Sequence, residues 1–171
     1  MYRRPTREEI TIVKRAFNKW GIFSFFRDKP LLINERKTDK QKEIYLLSSD
    51  LEQVIIDREP CFAGLKIGEL KKKFIPSLQG ADLIARTSNK FPYIMVNEIS
   101  EQRVVYGKNI LGESIIEKSE MLDENQLVIL LNKKRETIGI GRTRVSGKYL
   151  LQHGKATVTT IADIGSYLRN E

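Results

Sequence analysis

Residues 138–169 read IGIGRTRVSGKYLLQHGKATVTTIADIGSYLR, and this stretch decides the fold. It opens on an apolar/glycine alternation, Ile138, Gly139, Ile140 and Gly141. That pattern suits a strand which another backbone approaches closely. Arg142, Arg144, Lys148 and Lys155 follow, with Gln152 and His153 among them, and no acidic residue lies between Thr137 and Ala162. A strand period returns over Lys155 to Ile161. Asp163 then begins a short apolar and basic tail, placed to cap a final helical turn. Four cations without an anion suit a polyanion better than plain solvent.

Immediately upstream, the chain from residue 91 reads mostly as strands. Tyr93 to Asn97, Val104 to Tyr106, Ile115-Ile116 and Gln126 to Leu131 are short apolar runs. Gly107 to Gly112 reads as one helical turn bracketed by glycines, and Asn132 to Arg135 as a turn. With Thr137 to Thr143 and Lys155 to Ile161, these make short strands at loop-separated spacing, the pattern of a small barrel or sandwich.

The first half has a different texture. Thr6 followed by Glu9 has capping-box spacing, and Ile10, Val13, Phe17 and Trp20 recur at helical spacing until Gly21, which predicts a helix over about 7–20. Arg3, Arg4 and Arg7 read as a solvated terminus. Ile22 to Arg27 and Leu31 to Glu35 read as two strands joined at Asp28-Lys29-Pro30. Lys37 to Lys42 is a polar loop, and Glu43 to Leu47 a further strand. Ser49 with Glu52 repeats the capping-box spacing and predicts a helix over Leu51 to Asp57, broken by Pro60. Phe62 to Ile67 reads as a strand. Lys71, Lys72 and Lys73 suit an exposed sheet edge, where lysines deter edge-to-edge pairing. Ser77 to Arg86 predicts a third helix, with Leu78, Ala81, Leu83 and Ile84 on its apolar side. Lys90-Phe91-Pro92 marks a boundary between a domain over 1–90 and another over 91–171.

Composition bounds the function. The chain has 171 residues, enough to bury roughly 70% of its unfolded surface. With 40% hydrophobic and 30% charged residues it reads as soluble and globular. The net charge is +8, pointing to nucleic acid or an acidic partner. It divides as 19 Lys+Arg against 12 Asp+Glu over 1–90, net +7, and 11 against 10 over 91–171, net +1. The acids of the second half lie mostly between Glu98 and Glu136, so its cations remain segregated. One cysteine, Cys61, cannot form an internal disulfide, which points to a reducing compartment. No run approaches the ~18 apolar residues of a membrane span. Nor does an apolar segment follow the basic N-terminus as in a signal peptide. The expectation is a cytoplasmic protein, or a nuclear one where the cell has a nucleus.

VVYGKNILGESI (104–115), then an apolar strand, then IGIGRTRV, GKATV and ADIGSYLR together resemble a PUA domain, a small pseudo-barrel module of many RNA-modifying and ribosome-assembly proteins. The ADIG-x-Y-L-R ending, with an α+β domain in front, resembles more particularly the Nip-seven family of large-subunit biogenesis factors. The resemblance implies an α+β fold. An N-terminal α/β domain with an antiparallel sheet and about three helices, serving protein partners, would precede a PUA-type pseudo β-barrel that contacts RNA. It also implies a non-catalytic factor of pre-rRNA processing, associated with ribosome precursors, cytoplasmic in an archaeal-type cell and nucleolar in a eukaryote. Its expected partners are pre-rRNA and other assembly proteins, with no membrane, small-molecule substrate or cofactor.

By the same resemblance, RNA contacts fall on the segment holding Lys148, Gln152, His153 and Lys155. Leu150, Leu151 and Val158 stand where archaeal members are expected to carry more cations, which implies weaker affinity or a shifted surface. The glycine-bracketed turn around Lys108 would let nucleic acid approach the backbone. Read physically, Arg142, Arg144, Lys148 and Lys155 can neutralise phosphates of single-stranded RNA, contacts that carry little sequence information; uridine-rich strands are the RNA to test first. Tyr149 and His153 can stack on bases, although Tyr149 equally suits packing at a core rim.

Two other classes compete. An adaptor would meet an acidic protein with the same basic surface and touch no RNA. A subunit of an RNA-modifying enzyme would need catalytic groups. The chain has no Cys/His set for zinc, no GxxxxGK[ST] phosphate loop and no dinucleotide-binding glycine fingerprint. Its one His is its only histidine base, and the pairs Glu8-Glu9 and Asp123-Glu124 fall at a helix start and a turn, where solvation explains them.

Overall fold

The computed structural model describes residues 1–35, 41–61 and 63–169. It divides into two compact units, Met1–Lys90 and Phe91–Glu171. Among the described residues no helix is long and apolar enough to cross a membrane.

The first unit is an antiparallel five-strand meander with helices on both faces. Its strands are β1 (Tyr2–Arg3), β2 (Leu31–Glu35), β3 (Lys42–Leu46), β4 (Leu65–Leu70) and β5 (Phe74–Pro76), in that spatial order. Leu32 pairs with Tyr45 and Ile33 with Ile44. Successive side chains point to opposite faces, so Leu32 and Tyr45 join Tyr2, Leu47, Ile55 and Ala63 in one small core, while Ile33 and Ile44 face the other way. Buried Glu43 is held by Lys66 Nζ at 2.7 Å and by the Tyr45 hydroxyl at 3.1 Å.

Helix α1 (Arg7–Lys19) carries the predicted capping box: Thr6 Oγ1 accepts from the Glu9 N–H, and the Glu9 carboxylate accepts from the Thr6 N–H. Glu9 is not merely solvated, as the sequence suggested. It is buried and takes both Arg3 guanidinium nitrogens and Lys42 Nζ at 2.8 Å each. Arg3 also binds Glu35 at 3.0 Å, and Arg4 binds Glu52 at 2.7 Å, so these two of the three N-terminal cations are tied into the fold.

The expected strand over Ile22 to Arg27 is instead a helical turn, α2 (Phe23–Phe26). Ile22 and Phe26, four residues apart, are buried while Phe23 and Phe25 are half-buried. That is helical spacing, and the Phe26 ring stacks 4.4 Å from Phe17 of α1. The helix expected over Leu51 to Asp57 forms as a 3-10 turn over Ser49–Leu51 followed by α3 (Glu52–Arg58). Its capping box does not form: Ser49 lies inside the 3-10 turn, Ser48 stands at the N-cap without a side-chain bond, and Glu52 pairs with Arg4. Glu59, in the left-handed region, ends α3 before Pro60. The strand expected from Phe62 begins at Leu65, Phe62 itself lying outside the described residues, as does most of the predicted 37–42 loop. The three lysines form the tight turn between β4 and edge strand β5, and α4 (Leu78–Thr87) is capped by Ser77 Oγ.

The second unit is a nearly closed, barrel-like six-strand sheet. Its elements are β6 (Tyr93–Val96), α5 (Glu98–Val105), β7 (Ile110–Leu111), β8 (Ile115–Lys118), β9 (Leu127–Leu131), β10 (Thr137–Thr143), β11 (Ala156–Asp163) and α6 (Ser166–Arg169). The spatial order is β7-β11-β10-β9-β6-β8, with only β6 and β9 parallel. Ile94, Val96, Val104, Ile110, Leu130, Leu150 and Val158 fill its core. The α+β architecture and the PUA-type pseudo-barrel expected from sequence are therefore what folds, with four helices rather than about three in the first unit.

Two local expectations fail here. Val104 to Tyr106 is the end of helix α5, not a strand. Asn97 caps it by accepting from the Ser100 N–H, and Glu98 and Glu101 favour its positive end. Gly107 to Gly112 is not a helical turn. Gly107 reverses the chain in the left-handed region, β7 follows, and a 3-10 turn begins only at Gly112.

Candidate nucleic-acid interface

The site is built on the end of β10, the start of β11 and the connection between them. In β10, Ile138, Gly139, Ile140 and Gly141 are buried, then Arg142 turns outward and Thr143 inward. A Cβ on Gly139 would lie 2.7 Å from the Ala162 carbonyl oxygen, so this is the close backbone approach the alternation implied. Thr143 Oγ1 donates to the Asp123 carbonyl at 2.6 Å and accepts from the Gln126 N–H, which pins the preceding turn to the strand end.

The connection is fixed at three points. The Gly147 N–H donates to the Leu122 carbonyl at 2.7 Å. Leu150 is wholly buried, and its carbonyl accepts from Thr157 Oγ1 at 2.8 Å. The Gly154 N–H donates to Glu113 Oε2 at 3.0 Å. Between these anchors Lys148, Tyr149, Leu151, His153 and Lys155 are exposed, and Gln152 is half-buried. Lys148 Nζ lies 4.9 Å from the Tyr149 ring centroid, so a cation and a half-exposed aromatic face are presented together. That pair can meet a phosphate and a base at once.

Arg144 stands at the same end of the sheet, its N–H bonded to the Thr157 carbonyl at 2.8 Å. Arg142 is exposed, but its guanidinium donates to the Asn125 carbonyl at 3.1 Å, which draws it toward the β9 side. Lys108 stands apart. Its carbonyl accepts from Thr160 Oγ1 at 2.8 Å, five residues along β11 from Lys155, roughly 16 Å at strand rise.

The bracketing glycines do not open the backbone to a ligand. A Cβ on Gly112 would sit 2.3 Å from the Gln152 carbonyl oxygen, and one on Gly107 would sit 3.2 Å from the Arg169 guanidinium. Leu150 and Val158 are fully buried core residues, so neither position can carry a solvated cation; only Leu151, 57% exposed, could. Asp163 does not cap α6. It is buried, its Oδ2 accepts from Arg169 at 2.7 Å, and Arg169 also donates to the Val105 carbonyl.

The sequence reading missed Glu113. An acid-free run in sequence is not acid-free in space, because the 3-10 turn lays this carboxylate on Gly154. Its own backbone N–H and that of Gly154 hold it below the usual carboxylate range, with lesser help from His153 and Arg103. Helix α5 itself was also missed. The Asn97 cap with its two following glutamates was the available signal for that helix.

A family model described as NIP7/UPF0113, pre-PUA domain matches residues 2–78, and one described as UPF0113 PUA domain matches residues 92–171. A UPF0113 protein of Archaeoglobus fulgidus is 33% identical over 172 residues, covering 99% of this chain and 95% of the relative.

The chain belongs to the NIP7/UPF0113 family.

Solved structures extend the likeness in fold. A hypothetical protein of Pyrococcus horikoshii superposes with a TM-score of 0.73 at 12% identity, covering 99% of this chain and 98% of that one. A conserved PUA domain protein of Thermoplasma acidophilum gives 0.67 at 14% identity, with 98% and 97% covered. NIP7/UPF0113 membership and the PUA unit point to an RNA-related function of a type that is generally not enzymatic. In this family member, the ADIG-x-Y-L-R ending acts through Asp163, Gly165 and Arg169 as a structural clasp on α5. A Cβ on Gly165 would lie 2.1 Å from the Val105 carbonyl oxygen.

Proposed function

We propose that this protein is a non-catalytic RNA-binding assembly factor of the large ribosomal subunit, acting on pre-rRNA. The C-terminal unit would bind single-stranded RNA through Arg144, Lys148, Gln152, His153 and Lys155, with Arg142 at the margin and Lys108 as a separate contact. The N-terminal unit would hold other assembly proteins. The protein would work in the cytoplasm of an archaeal-type cell, or in the nucleolus of a eukaryote.

The observation that carries the reading is the three-point anchoring of the β10–β11 connection, which leaves Lys148, Tyr149, His153 and Lys155 exposed on a rigid support. A preset array of cations and one aromatic ring loses little conformational entropy on binding a flexible strand.

The test is fluorescence anisotropy with uridine-rich single strands across a salt series, comparing wild type with a folded Lys148→Ala, Lys155→Ala double variant. The expected result is binding whose log–log salt slope falls in magnitude by about 1–2 in the variant. No binding at low salt would remove direct RNA recognition and favour an adaptor that meets an acidic protein. Equal slopes in both proteins would move the contacts to other cations.

A further inference from the structure

The first unit carries a groove that none of the RNA-binding geometry uses. Gly21, at φ 68°, reverses the chain after α1 so that α2 returns along it. Ile10, Val13 and Phe17 of α1, Phe26 of α2 and Leu31 of β2 form an apolar recess of about 100 Å³. An enclosed apolar cavity of about 150 Å³ takes benzene, so this recess suits one aliphatic side chain of leucine or methionine size.

Three cations, Lys14, Arg27 and Lys29, surround that apolar floor. Among the described residues no carboxylate lies in ion-pair range of any of them. Two are set by rings instead: Lys29 Nζ lies 3.3 Å from the Phe25 centroid, and the Arg27 guanidinium 5.8 Å from that of Phe23. Among the same residues other cations of this unit, Arg7, Arg15, Lys19 and Lys72, also lack a carboxylate in range; what sets Lys14, Arg27 and Lys29 apart is that all three line one apolar recess. The groove thus pairs an apolar socket with unneutralised positive charge, which calls for an occupant bearing the opposite charge and one apolar anchor.

RNA fits this surface poorly. Phe17 and Phe26 are buried against each other, and the floor is a concave apolar socket rather than a flat exposed ring. We propose that the groove docks a short acidic segment of a partner protein. One Leu- or Met-like side chain seats on the Val13–Phe17 floor, and neighbouring carboxylates meet Lys14, Arg27 and Lys29. This rests on the partner-binding role proposed above for the N-terminal unit and states what its partner presents.

The test uses the full chain and a fluorescein-labelled peptide, Asp-Glu-Asp-Leu-Glu-Asp-Glu, with a second peptide bearing Ala in place of Leu. Micromolar binding is expected, weakened roughly tenfold by the Ala peptide and by a Lys14→Glu, Lys29→Glu double variant. Methyl resonances of Ile10, Val13 and Leu31 should shift on titration, and affinity for a uridine-rich RNA should stay the same in that variant. Equal binding of the Ala peptide would reduce the groove to plain charge attraction and overturn the proposal. So would unmoved methyl resonances, or RNA affinity that falls with the charge reversals, which would make this a nucleic-acid surface. Peptide binding without any RNA binding would sustain the groove and sink the RNA-binding reading, so the two failures are distinguishable.

Discussion

The Arg169 guanidinium reaches back to the buried Asp163 carboxylate at 2.7 Å and donates to the Val105 carbonyl at the end of α5. One side chain thereby joins the last strand, the last helix and α5. Removing it leaves Asp163 buried without its cation, which costs more than removing both charges. Arg169→Ala should therefore lower the urea midpoint of the C-terminal unit further than Arg169→Ala combined with Asp163→Ala. Urea unfolding followed by NMR resonances of the C-terminal unit checks the order, since the single Trp, Trp20, lies in the first unit; equal midpoints would deny the pair any structural role.

Glu9 predicts how the N-terminal unit responds to acid. The Arg3 hydrogen bonds first, then Lys42 and the Thr6 N–H, hold its carboxyl well below the usual carboxylate range despite burial. A carboxyl depressed in the folded state adds stability above its unfolded value, and that stability is lost as pH falls. Wild type should lose stability relative to Glu9→Gln from about pH 5 downward. At pH 7 the substitution should cost about 2 kcal/mol. Urea titrations between pH 2 and 7 read both effects.

Gly112→Ala should disrupt the candidate interface from beneath. Its Cβ would fall 2.3 Å from the Gln152 carbonyl oxygen and 2.7 Å from that of Leu150, so the whole connection must move. Overpacking of this kind costs about 1–3 kcal/mol. The expected result is a folded but less stable protein with weaker RNA binding, whereas Gly154→Ala, with open space at its Cβ but a strained φ of 72°, should act through backbone strain alone.

Glu113 sets a counter-charge inside the basic segment. Glu113→Gln should raise affinity for single-stranded RNA by roughly two- to fivefold at low salt, and the gain should fade as salt rises. Anisotropy at two salt concentrations measures it. Unchanged affinity at both would place the RNA away from the β10–β11 connection.

Local signals in the chain carried what they could. The Thr6–Glu9 capping box, the helix read over Ser77 to Arg86 and β10 over Thr137 to Thr143 all form, because each is decided by groups within a few residues. The cations of the β10–β11 connection were legible for the same reason. Pattern alone failed at Phe23–Phe26, where an apolar run reads equally as strand or helix until Phe17 supplies the packing partner.

What only the tertiary structure decided lies in pairs remote in sequence. Glu113 meets Gly154 across 41 residues and Arg169 meets Val105 across 64. The groove of the first unit needs α1, α2 and β2 folded together before its socket exists. The sequence by itself determined which residues are apolar, charged or able to cap, and hence the family and those elements whose signals are local. Which charges are neutralised and which are left to meet a partner is set by the strand register and the turns, and no local pattern encodes those distances.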